Sequence, residues 1–280
     1  MIPNILSIAG TDPTGGAGIQ ADIKSIAANG GYGMAVISCL VAQNSTGVFG
    51  IHTPPADFLA QQLLSVSDDV RIDAVKIGML GSAENIETVI NWLDVINPPI
   101  TVLDPVMKAS SGGNLLSEGG ITPLRSLVEK VDLITPNLPE LAALLGEDEA
   151  SNWSEAITQA VRLSQSFRTI VLLKGGHIAG DEARDALIDA RSRLEHEIKL
   201  VEKSTERVST SNTHGTGCSL SSAIATRQAI NLDWERSFAE AKIWLQKTIE
   251  GAHLLDVGRK AGPINHFYDP SEIAGRAERS

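Results

Sequence analysis

The chain has 280 residues, of which 42% are hydrophobic and 20% charged, so it can bury a full core without disulfide or metal staples. Its formal net charge of −11 argues against a large basic face for nucleic acid. The two cysteines, Cys39 and Cys218, lie far apart, which excludes a CxxC metal motif and favours a reducing, cytoplasmic setting.

The sequence predicts no contact with a membrane. The longest mostly apolar run covers residues 34–42, far fewer than the ~20 residues that span a bilayer. The first residues lack a basic segment and reach Asp12 too early for a secretory signal peptide. We therefore expect a cytoplasmic protein that binds neither membrane nor nucleic acid.

Short apolar runs alternate with amphipathic stretches along the chain. Several runs are β-branched and apolar throughout, which is typical of strands covered on both faces in a parallel sheet. The predicted strands are residues 5–9, 34–42, 74–77, 100–103, 131–134 and 169–173. The predicted helices are residues 18–29, 55–67, 83–96, 154–166 and 219–229, and a helical apolar stripe runs from Phe238 to Ala252.

A different pattern appears between residues 186 and 201. Residues 186–189 and 194–201 flank Arg191 and Ser192, which predicts an antiparallel hairpin at the sheet edge. No linker is visible. We therefore predict one three-layer α/β/α domain over residues 1–280, with a mostly parallel central sheet, a short antiparallel edge hairpin and a frayed tail at about residues 271–280.

Polar and glycine residues cluster where the predicted strands end, and open α/β sheets bind ligands at that edge. The first such segment, residues 10–18, lacks the Lys-Ser/Thr of a P-loop and the GxGxxG of a dinucleotide dehydrogenase. It is either a tight strand–helix turn or a loop whose glycines let a small ligand approach the backbone.

Residues 212–218 (NTHGTGC) form the most informative segment, because two glycines precede a predicted helix. Free backbone N–H groups at a helix N-terminus bind anions, and a thiol there often has a lowered pKa, which we expect of Cys218. The alternative is a glycine-rich connection followed by an inert, buried cysteine. His214 is expected to have a structural or supporting role.

Four polar side chains at strand ends suit phosphate chemistry. Asn137 and Glu140 fit a helix capping box, or they place a carboxylate beside a metal–phosphate site. Asp104 ends an apolar strand, where its carboxylate needs a divalent cation or a lysine. Lys174 can hold a phosphate as a point charge. Together these features indicate phosphoryl transfer, which depends mainly on positioning and charge neutralisation.

Seven ordered segments resemble the hydroxymethylpyrimidine/phosphomethylpyrimidine kinases of thiamine biosynthesis, and the matches span about residues 4–268. The segments are residues 8–22 (IAGTDPTGGAGIQAD), 41–44 (VAQN), 76–80 (KIGML), 104–107 (DPVM), 135–140 (TPNLPE), 174–177 (KGGH) and 212–218 (NTHGTGC). The resemblance implies a ribokinase-like fold, usually in a homodimer. It also implies ATP- and Mg²⁺-dependent phosphorylation of 4-amino-5-hydroxymethyl-2-methylpyrimidine to the monophosphate and then to the diphosphate.

The resemblance further implies roles for individual residues. The pyrimidine pocket would be lined by Gly10, Ala17, Val41, Gln43, Met79 and Val106. The ATP-binding residues would be Asn137, Lys174, Thr213, Gly215, Thr216 and Gly217. Asp104 and Glu140, with Asn137, would organise the metal directly or through water. Cys218 and Lys174 would be catalytic; because most ribokinase-like sugar kinases carry an Asp base at the position of Cys218, the identity of the base stays open.

Two alternatives remain at this point. One is a pyridoxal-type vitamin kinase of the same superfamily, whose substrate is also a flat ring with a hydroxymethyl group. Gln43 favours the aminopyrimidine, because its amide donors and carbonyl match that ring edge and some pyridoxal-phosphorylating relatives carry Met there. The other is a catalytically silent pyrimidine-binding or regulatory module, against which Asp104, Glu140 and Lys174 argue.

Overall fold

The computed structural model describes residues 1–108, 113, 115–116, 119–176, 178, 180–192 and 198–268. The strands are β1 (Asn4–Ala9), β2 (Tyr32–Ile37), β3 (Leu40–Asn44), β4 (Gly47–His52), β5 (Ala74–Ile77), β6 (Thr101–Leu103), β7 (Leu133–Ile134), β8 (Ile170–Lys174), β9 (Glu182–Asp189) and β10 (Lys199–Glu206). The helices are α1 (Gly18–Ala28), α2 (Ala56–Asp69), α3 (Ala83–Ile96), α4 (Ile121–Val128), α5 (Leu138–Leu145), α6 (Trp153–Phe167), α7 (Thr216–Asn231) and α8 (Trp234–Glu250), followed by a 3-10 turn at Gly251–Leu254.

One eight-stranded sheet has the order β10-β9-β8-β7-β6-β5-β1-β2. The strands from β8 to β2 in this order are parallel, and β9 and β10 add an antiparallel hairpin at one edge. The predicted mostly parallel sheet with an antiparallel edge hairpin is therefore confirmed.

Apolar side chains on the two faces of this sheet pack into two separate clusters. Leu6 and Ile8 of β1 join a cluster with residues of α2 to α6, whereas Ile5 of the same strand joins a cluster with α7 and α8. Successive residues of a strand point to opposite faces, so each central strand supplies both clusters. This explains why the central strands have continuous apolar sequences and lie between two helical layers.

The apolar run at residues 34–42 was predicted as a single strand, and this prediction is wrong. β2 ends at Ile37, and β3 leaves the sheet to pair with β4 in a separate antiparallel hairpin. The break occurs because neighbouring loops bind the polar groups between the strands. The Ser38 hydroxyl donates to the Met79 carbonyl, and the Val41 N–H donates to Thr11 Oγ1.

The edge hairpin is longer than the sequence predicted, since β9 and β10 pair from Asp189↔Lys199 to Glu182↔Glu206. Residues 194–197 of the predicted hairpin and the predicted tail at 271–280 lie outside the described residues. Within the described ranges, no helix combines the length and the apolar composition needed to traverse a lipid bilayer.

Candidate active site

Two loops meet at the carboxyl edge of the parallel strands. The glycine loop, residues 10–18, connects β1 to α1, and the anion loop, residues 212–218, leads into α7. A Cβ atom on Gly215 would overlap the Gly16 carbonyl oxygen and lie 3.2 Å from Ala17 Cα. Gly215 also has a φ of 83°, in the left-handed region that favours glycine. The two loops therefore touch through their backbones.

A small apolar cluster borders the glycine loop. Its buried members are Cys39, Val41 and Met79, and the partly buried Val48, Val106 and Leu115 pack against them. A Cβ atom on Gly10 would lie 3.1 Å from Met79 Sδ, so the loop packs directly against this cluster. Four predicted pocket residues, Gly10, Val41, Met79 and Val106, are thus brought together. Sequence reasoning missed the other members, because Cys39, Val48 and Leu115 carry no signal that distinguishes them from core residues.

Gln43 and Ala17, the other two predicted pocket residues, are not members of this apolar cluster. Gln43 is half-buried on β3, at the register shift that follows Ala42, and its side-chain amide forms no hydrogen bond with any described residue. Its amide is thus free to bind a ligand. The Ala17 N–H donates to Asp12 Oδ2 at 2.8 Å, and Ala17 lies beside Gly215, between the two loops.

The anion loop leaves backbone donors at the start of α7. The Thr216 N–H binds the Thr213 carbonyl, but those of Gly217 and Cys218 have no acceptor among the described residues. Unpaired N–H groups at the N-terminus of a 16-residue helix favour an anion. The predicted anion-binding residues Gly215, Thr216 and Gly217 therefore lie together, whereas Thr213 is exposed.

Lys174 lies beside this helix N-terminus and between two carboxylates. Its Nζ is 2.8 Å from Asp104 Oδ1 and 3.8 Å from Glu140 Oε2. A Cβ atom on Gly217 would lie 3.3 Å from Lys174 Nζ and 3.6 Å from Asp104 Oδ2. Thr135, which was not singled out from the sequence, donates its hydroxyl to Asp104 Oδ1 at 2.9 Å. Three predicted residues, Asp104, Lys174 and Gly217, thus converge.

Burial and charge set the protonation of this group. Burial opposes ionisation of Asp104, but Lys174 and Lys76 outweigh it and hold the pKa of Asp104 below its usual range. Burial likewise opposes the charge of Lys174, but Asp104 and Glu140 raise the pKa of Lys174 above its usual value. Burial raises the pKa of Glu140 to about 7, and the nearby Asp104 carboxylate adds to that shift.

Asn137 and Glu140 form the capping box that the sequence suggested. Asn137 Oδ1 accepts from the Glu140 N–H, and Glu140 Oε2 accepts from the Asn137 N–H, both at 2.9 Å. This cap does not exclude the metal role, because it holds the buried Glu140 carboxylate next to Lys174. His177, which belongs to the segment 174–177 (KGGH), lies outside the described residues.

The donor set suits a hard divalent cation. In the described part of the chain no group of three or more His, Cys, Asp or Glu side chains is placed to hold a metal ion. Mg²⁺ needs fewer, because it keeps several waters and is bound by one or two carboxylates together with substrate phosphates. Asp104 and Glu140 supply two carboxylates, and Asp104 Oδ2 accepts no hydrogen bond from a described residue.

Cys218 differs from the prediction made from its place at a helix N-terminus. Burial raises the pKa of its thiol to about 11; Lys76 lowers it, and the carboxylates of Asp22 and Asp104 raise it further. The expectation of a lowered pKa is therefore wrong, because desolvation exceeds the effect of the helix dipole.

Comparison with known proteins gives consistent matches over nearly the whole chain. A family model described as phosphomethylpyrimidine kinase matches residues 12–265. The chain is 49% identical over 265 residues to the thiamine biosynthesis multifunctional protein ThiED of Corynebacterium efficiens, covering 95% of this chain and 35% of that protein. It is 44% identical to the hydroxymethylpyrimidine/phosphomethylpyrimidine kinase of Escherichia coli, covering 95% and 97% of the two chains. The chain thus spans about a third of the corynebacterial relative and nearly all of the Escherichia coli one.

Among solved structures, the fold is similar to an ADP complex of Bacillus subtilis pyridoxal kinase. The TM-score is 0.83 at 28% sequence identity, and the alignment covers 95% of this chain and 98% of that chain.

Proposed function

The chain belongs to the phosphomethylpyrimidine kinase family, and we propose that it uses ATP to phosphorylate 4-amino-5-hydroxymethyl-2-methylpyrimidine to the monophosphate and then to the diphosphate, in thiamine biosynthesis. One observation carries this proposal. The glycine loop borders the apolar cluster at Gly10 and contacts the anion loop at Gly16 and Ala17. A flat ring bound in a pocket beside this cluster would therefore be adjacent to a helix N-terminus that has unpaired N–H groups.

The pocket recognises the ring by shape and by one amide. Val41, Met79 and Val106 provide apolar contacts, and Gly10 and Ala17 leave room for the ring beside the backbone. Gln43 offers both an N–H donor and a carbonyl acceptor to the aminopyrimidine edge. The absence of a hydrogen-bond partner for its side-chain amide among the described residues supports this role.

The anion loop and Lys174 bind the phosphates of ATP. The N–H groups of Gly217 and Cys218 donate to phosphate oxygens, and Lys174 adds a positive charge beside them. Thr213, Gly215 and Thr216 shape this loop. Asn137 fixes the start of α5 and with it the Glu140 carboxylate.

Asp104 and Glu140, with Asn137, hold Mg²⁺ directly or through water. When bound, the ion neutralises charge on the phosphates during transfer. Without a cation, burial near Asp104 raises the pKa of Glu140 to about 7.

We expect Glu140→Gln to raise the Mg²⁺ concentration that gives the half-maximal rate about 10- to 100-fold. Titration of Mg²⁺ at fixed ATP measures this change, with the exposed Glu87→Gln as a matched control.

Cys218 is the proposed proton acceptor for the substrate alcohol. The alcohol must lose its proton as it attacks the γ-phosphoryl group, and the sulfur lies in the first turn of α7, next to the proposed phosphate site. Because the pKa of the thiol is raised, a Cys218 thiolate acting as the base would make the rate of the first step increase strongly with pH.

Product analysis tests the proposed function. The purified chain, ATP and Mg²⁺ should convert the hydroxymethylpyrimidine to the monophosphate and then the diphosphate, as followed by mass spectrometry. Lys174→Met should abolish both products, whereas Lys130→Met, on an exposed face of the fold, should retain them. Formation of monophosphate alone, with added monophosphate left unconsumed, would contradict the second activity.

A pyridoxal-type kinase is the second candidate, favoured by the similarity to the Bacillus subtilis pyridoxal kinase structure. Competing turnover of the pyrimidine and pyridoxal distinguishes the two functions. A higher kcat/KM for pyridoxal would replace the proposed substrate.

We also propose that residues 1–280 form a single domain in a cytoplasmic homodimer. Exposed apolar side chains on the β3–β4 hairpin and on α2 support the dimer, because an interface would remove them from water. These are Phe49, Ile51, Phe58 and Leu64. Sedimentation equilibrium should give twice the chain mass of 29.7 kDa, and a monomer at micromolar concentration would contradict it.

A further inference from the structure

A single buried carboxylate organises the glycine loop from within. Asp12 is 0% exposed. Its Oδ1 accepts from the N–H and the hydroxyl of Thr14 at 3.0 and 2.8 Å, and its Oδ2 accepts from the N–H groups of Gly16 and Ala17 at 3.1 and 2.8 Å. Burial opposes its charge, but these donors and His214 lower the pKa of Asp12 to about 2. The loop therefore keeps its shape around an ionised Asp12.

The same carboxylate has a fifth donor, which comes from the anion loop. His214 Nε2 lies 2.8 Å from Asp12 Oδ2, across 202 residues of sequence. Because Asp12 is ionised it only accepts hydrogen bonds, so Nε2 carries the proton that His214 donates. A second, sulfur-containing hydrogen bond between the loops runs from the Gly18 N–H to the Cys218 side chain, so His214 supplies the side-chain link that starts from the middle of the anion loop.

The contact leaves little space between the loops. A Cβ atom on Gly16 would lie 2.5 Å from His214 Cδ2, so a larger residue there would displace the imidazole. On its other side, the backbone N–H of His214 donates to the Gly262 carbonyl at 3.1 Å. His214 is therefore anchored at both ends, its imidazole to the glycine loop and its backbone to the segment that follows the 3-10 turn.

We propose that His214 is a positioning residue that sets the separation of the two substrate-binding loops, and that it acts on the rate of phosphoryl transfer rather than on the binding of either substrate alone. The proposal rests on the proposed kinase function for its kinetic part. Its physical basis is that each loop has internal hydrogen bonds that do not involve His214, whereas the bond from His214 to Asp12 adds to the backbone contact at Gly16 in holding the two loops together. Transfer rates are sensitive to such placement, since a shift of about 1 Å between reacting groups can cost 10²-fold.

The test compares His214→Ala with His214→Gln. Gln Nε2 is separated from Cα by the same number of bonds as His Nε2 and retains an N–H donor, whereas Ala removes the donor. We expect His214→Ala to lower kcat at least tenfold, while the dissociation constants of the pyrimidine alone and of a non-hydrolysable ATP analogue alone change less than threefold. His214→Gln should recover most of the kcat. His253→Ala removes an exposed histidine whose side chain is hydrogen-bonded to the Glu250 carbonyl at the end of α8, away from both loops, and it serves as the control.

Three outcomes would overturn the proposal: an unchanged kcat in His214→Ala, equal losses in the Ala and Gln variants, or a loss of kcat matched by an equal loss of both binary affinities. Amide hydrogen exchange in the glycine loop and the anion loop tests the role of His214 independently of kinase activity. Amides of residues 10–18 and 212–218 should exchange at least tenfold faster in His214→Ala and at wild-type rates in His214→Gln. Absence of turnover in the wild-type chain would refute the kinase function. Unchanged hydrogen exchange in His214→Ala would refute the proposal that His214 sets the separation of the two loops.

Discussion

Lys76 and Asp22 form an ion pair that is completely shielded from solvent. Lys76 Nζ lies 2.8 and 2.9 Å from the two carboxylate oxygens of Asp22, and both side chains are 0% exposed. Ser7 and Ser222 donate their hydroxyls to the same carboxylate at 2.6 and 2.9 Å. The pair therefore joins β5 and β1 of the sheet to α1 and α7, the two helices that begin at the candidate site.

We expect Asp22→Asn to lower the free energy of unfolding by about 3–5 kcal/mol, because it leaves the Lys76 ammonium buried without a counter-charge. The double variant Asp22→Asn/Lys76→Met should be more stable than Asp22→Asn alone. Urea unfolding followed by circular dichroism measures both. Lys130→Met breaks the exposed pair with Asp94 and should cost less than about 1 kcal/mol. Equal losses of unfolding free energy in Asp22→Asn and Lys130→Met would contradict this prediction.

Gln43→Met should reduce kcat/KM for the pyrimidine more than for pyridoxal. The substitution leaves polar groups of the bound aminopyrimidine unpaired, which costs about 1–3 kcal/mol, or roughly five- to 150-fold in kcat/KM. Competing kinetics on the two substrates measure the difference. Gln61→Met, on the exposed face of α2, should leave both values unchanged. Equal losses for the two substrates would mean that Gln43 only shapes the pocket.

Cys218→Ala should slow phosphorylation of the alcohol more than phosphorylation of the monophosphate. The alcohol must lose a proton as it attacks, whereas the monophosphate, with a second pKa of roughly 6, is already largely anionic at pH 7. A general base typically contributes about 10²–10⁴-fold, so measuring each half-reaction at saturating ATP separates the steps.

The pH dependence gives a second test of Cys218. With a thiol pKa of about 11, the thiolate fraction rises nearly tenfold per pH unit between pH 7 and 9. The first step of the wild-type chain should rise with it, and that of Cys218→Ala should not. Similar small losses in both half-reactions, with parallel pH profiles, would instead make the sulfur a spacer and leave the Cys218 N–H as the functional group.

His266 should make the fold less stable in mild acid. The side chain is 3% exposed and its Nε2 lies 3.0 Å from Ser219 Oγ; burial, followed by the charge of Lys24, lowers the pKa of His266 to about 4. Because the unfolded chain has the higher pKa, it takes up the proton first, and stability falls as the pH drops from about 6.5 towards 4.

From pH 7 to pH 5 this histidine should account for a loss of about 2 kcal/mol in the free energy of unfolding. Urea unfolding at both pH values, in the wild-type chain and in His266→Gln, measures its share. The Gln variant should lose less unfolding free energy between pH 7 and pH 5 than the wild-type chain. Equal losses in the two proteins would show that protonation of His266 does not destabilise the fold.

Local sequence patterns were sufficient for the layered fold, because continuous β-branched runs are buried on both faces of a parallel sheet. They failed at Ser38, where the strand breaks. The hydroxyl of Ser38 binds the Met79 carbonyl, 41 residues away, and no local pattern contains that partner.

The candidate site was predictable where a strand end places a residue. Asp104 directly follows β6 and Lys174 ends β8, two strands separated only by β7, so sheet order brings them together. The bond between Asp12 and His214 was not predictable, because each residue has an unremarkable local context. The protonation of Cys218 was mispredicted for a related reason. Its place at a helix N-terminus is visible in the sequence, whereas its burial, and the charges of Asp22 and Lys76 near it, follow from tertiary packing.

The β3–β4 hairpin carries two of the residues proposed to contact the ring and none of those proposed to bind phosphate. Val41 and Gln43 belong to this hairpin, which within the described residues shares no strand pairing with the eight-stranded sheet, whereas Lys174 and Gly217 belong to the sheet and α7. The part of ring preference that the hairpin carries is therefore separable from the phosphate site, whereas the part carried by Gly10, Met79 and Val106 is not. Grafting residues 40–52 from a kinase of different ring preference should shift that preference in part while the phosphate machinery of the host remains in place.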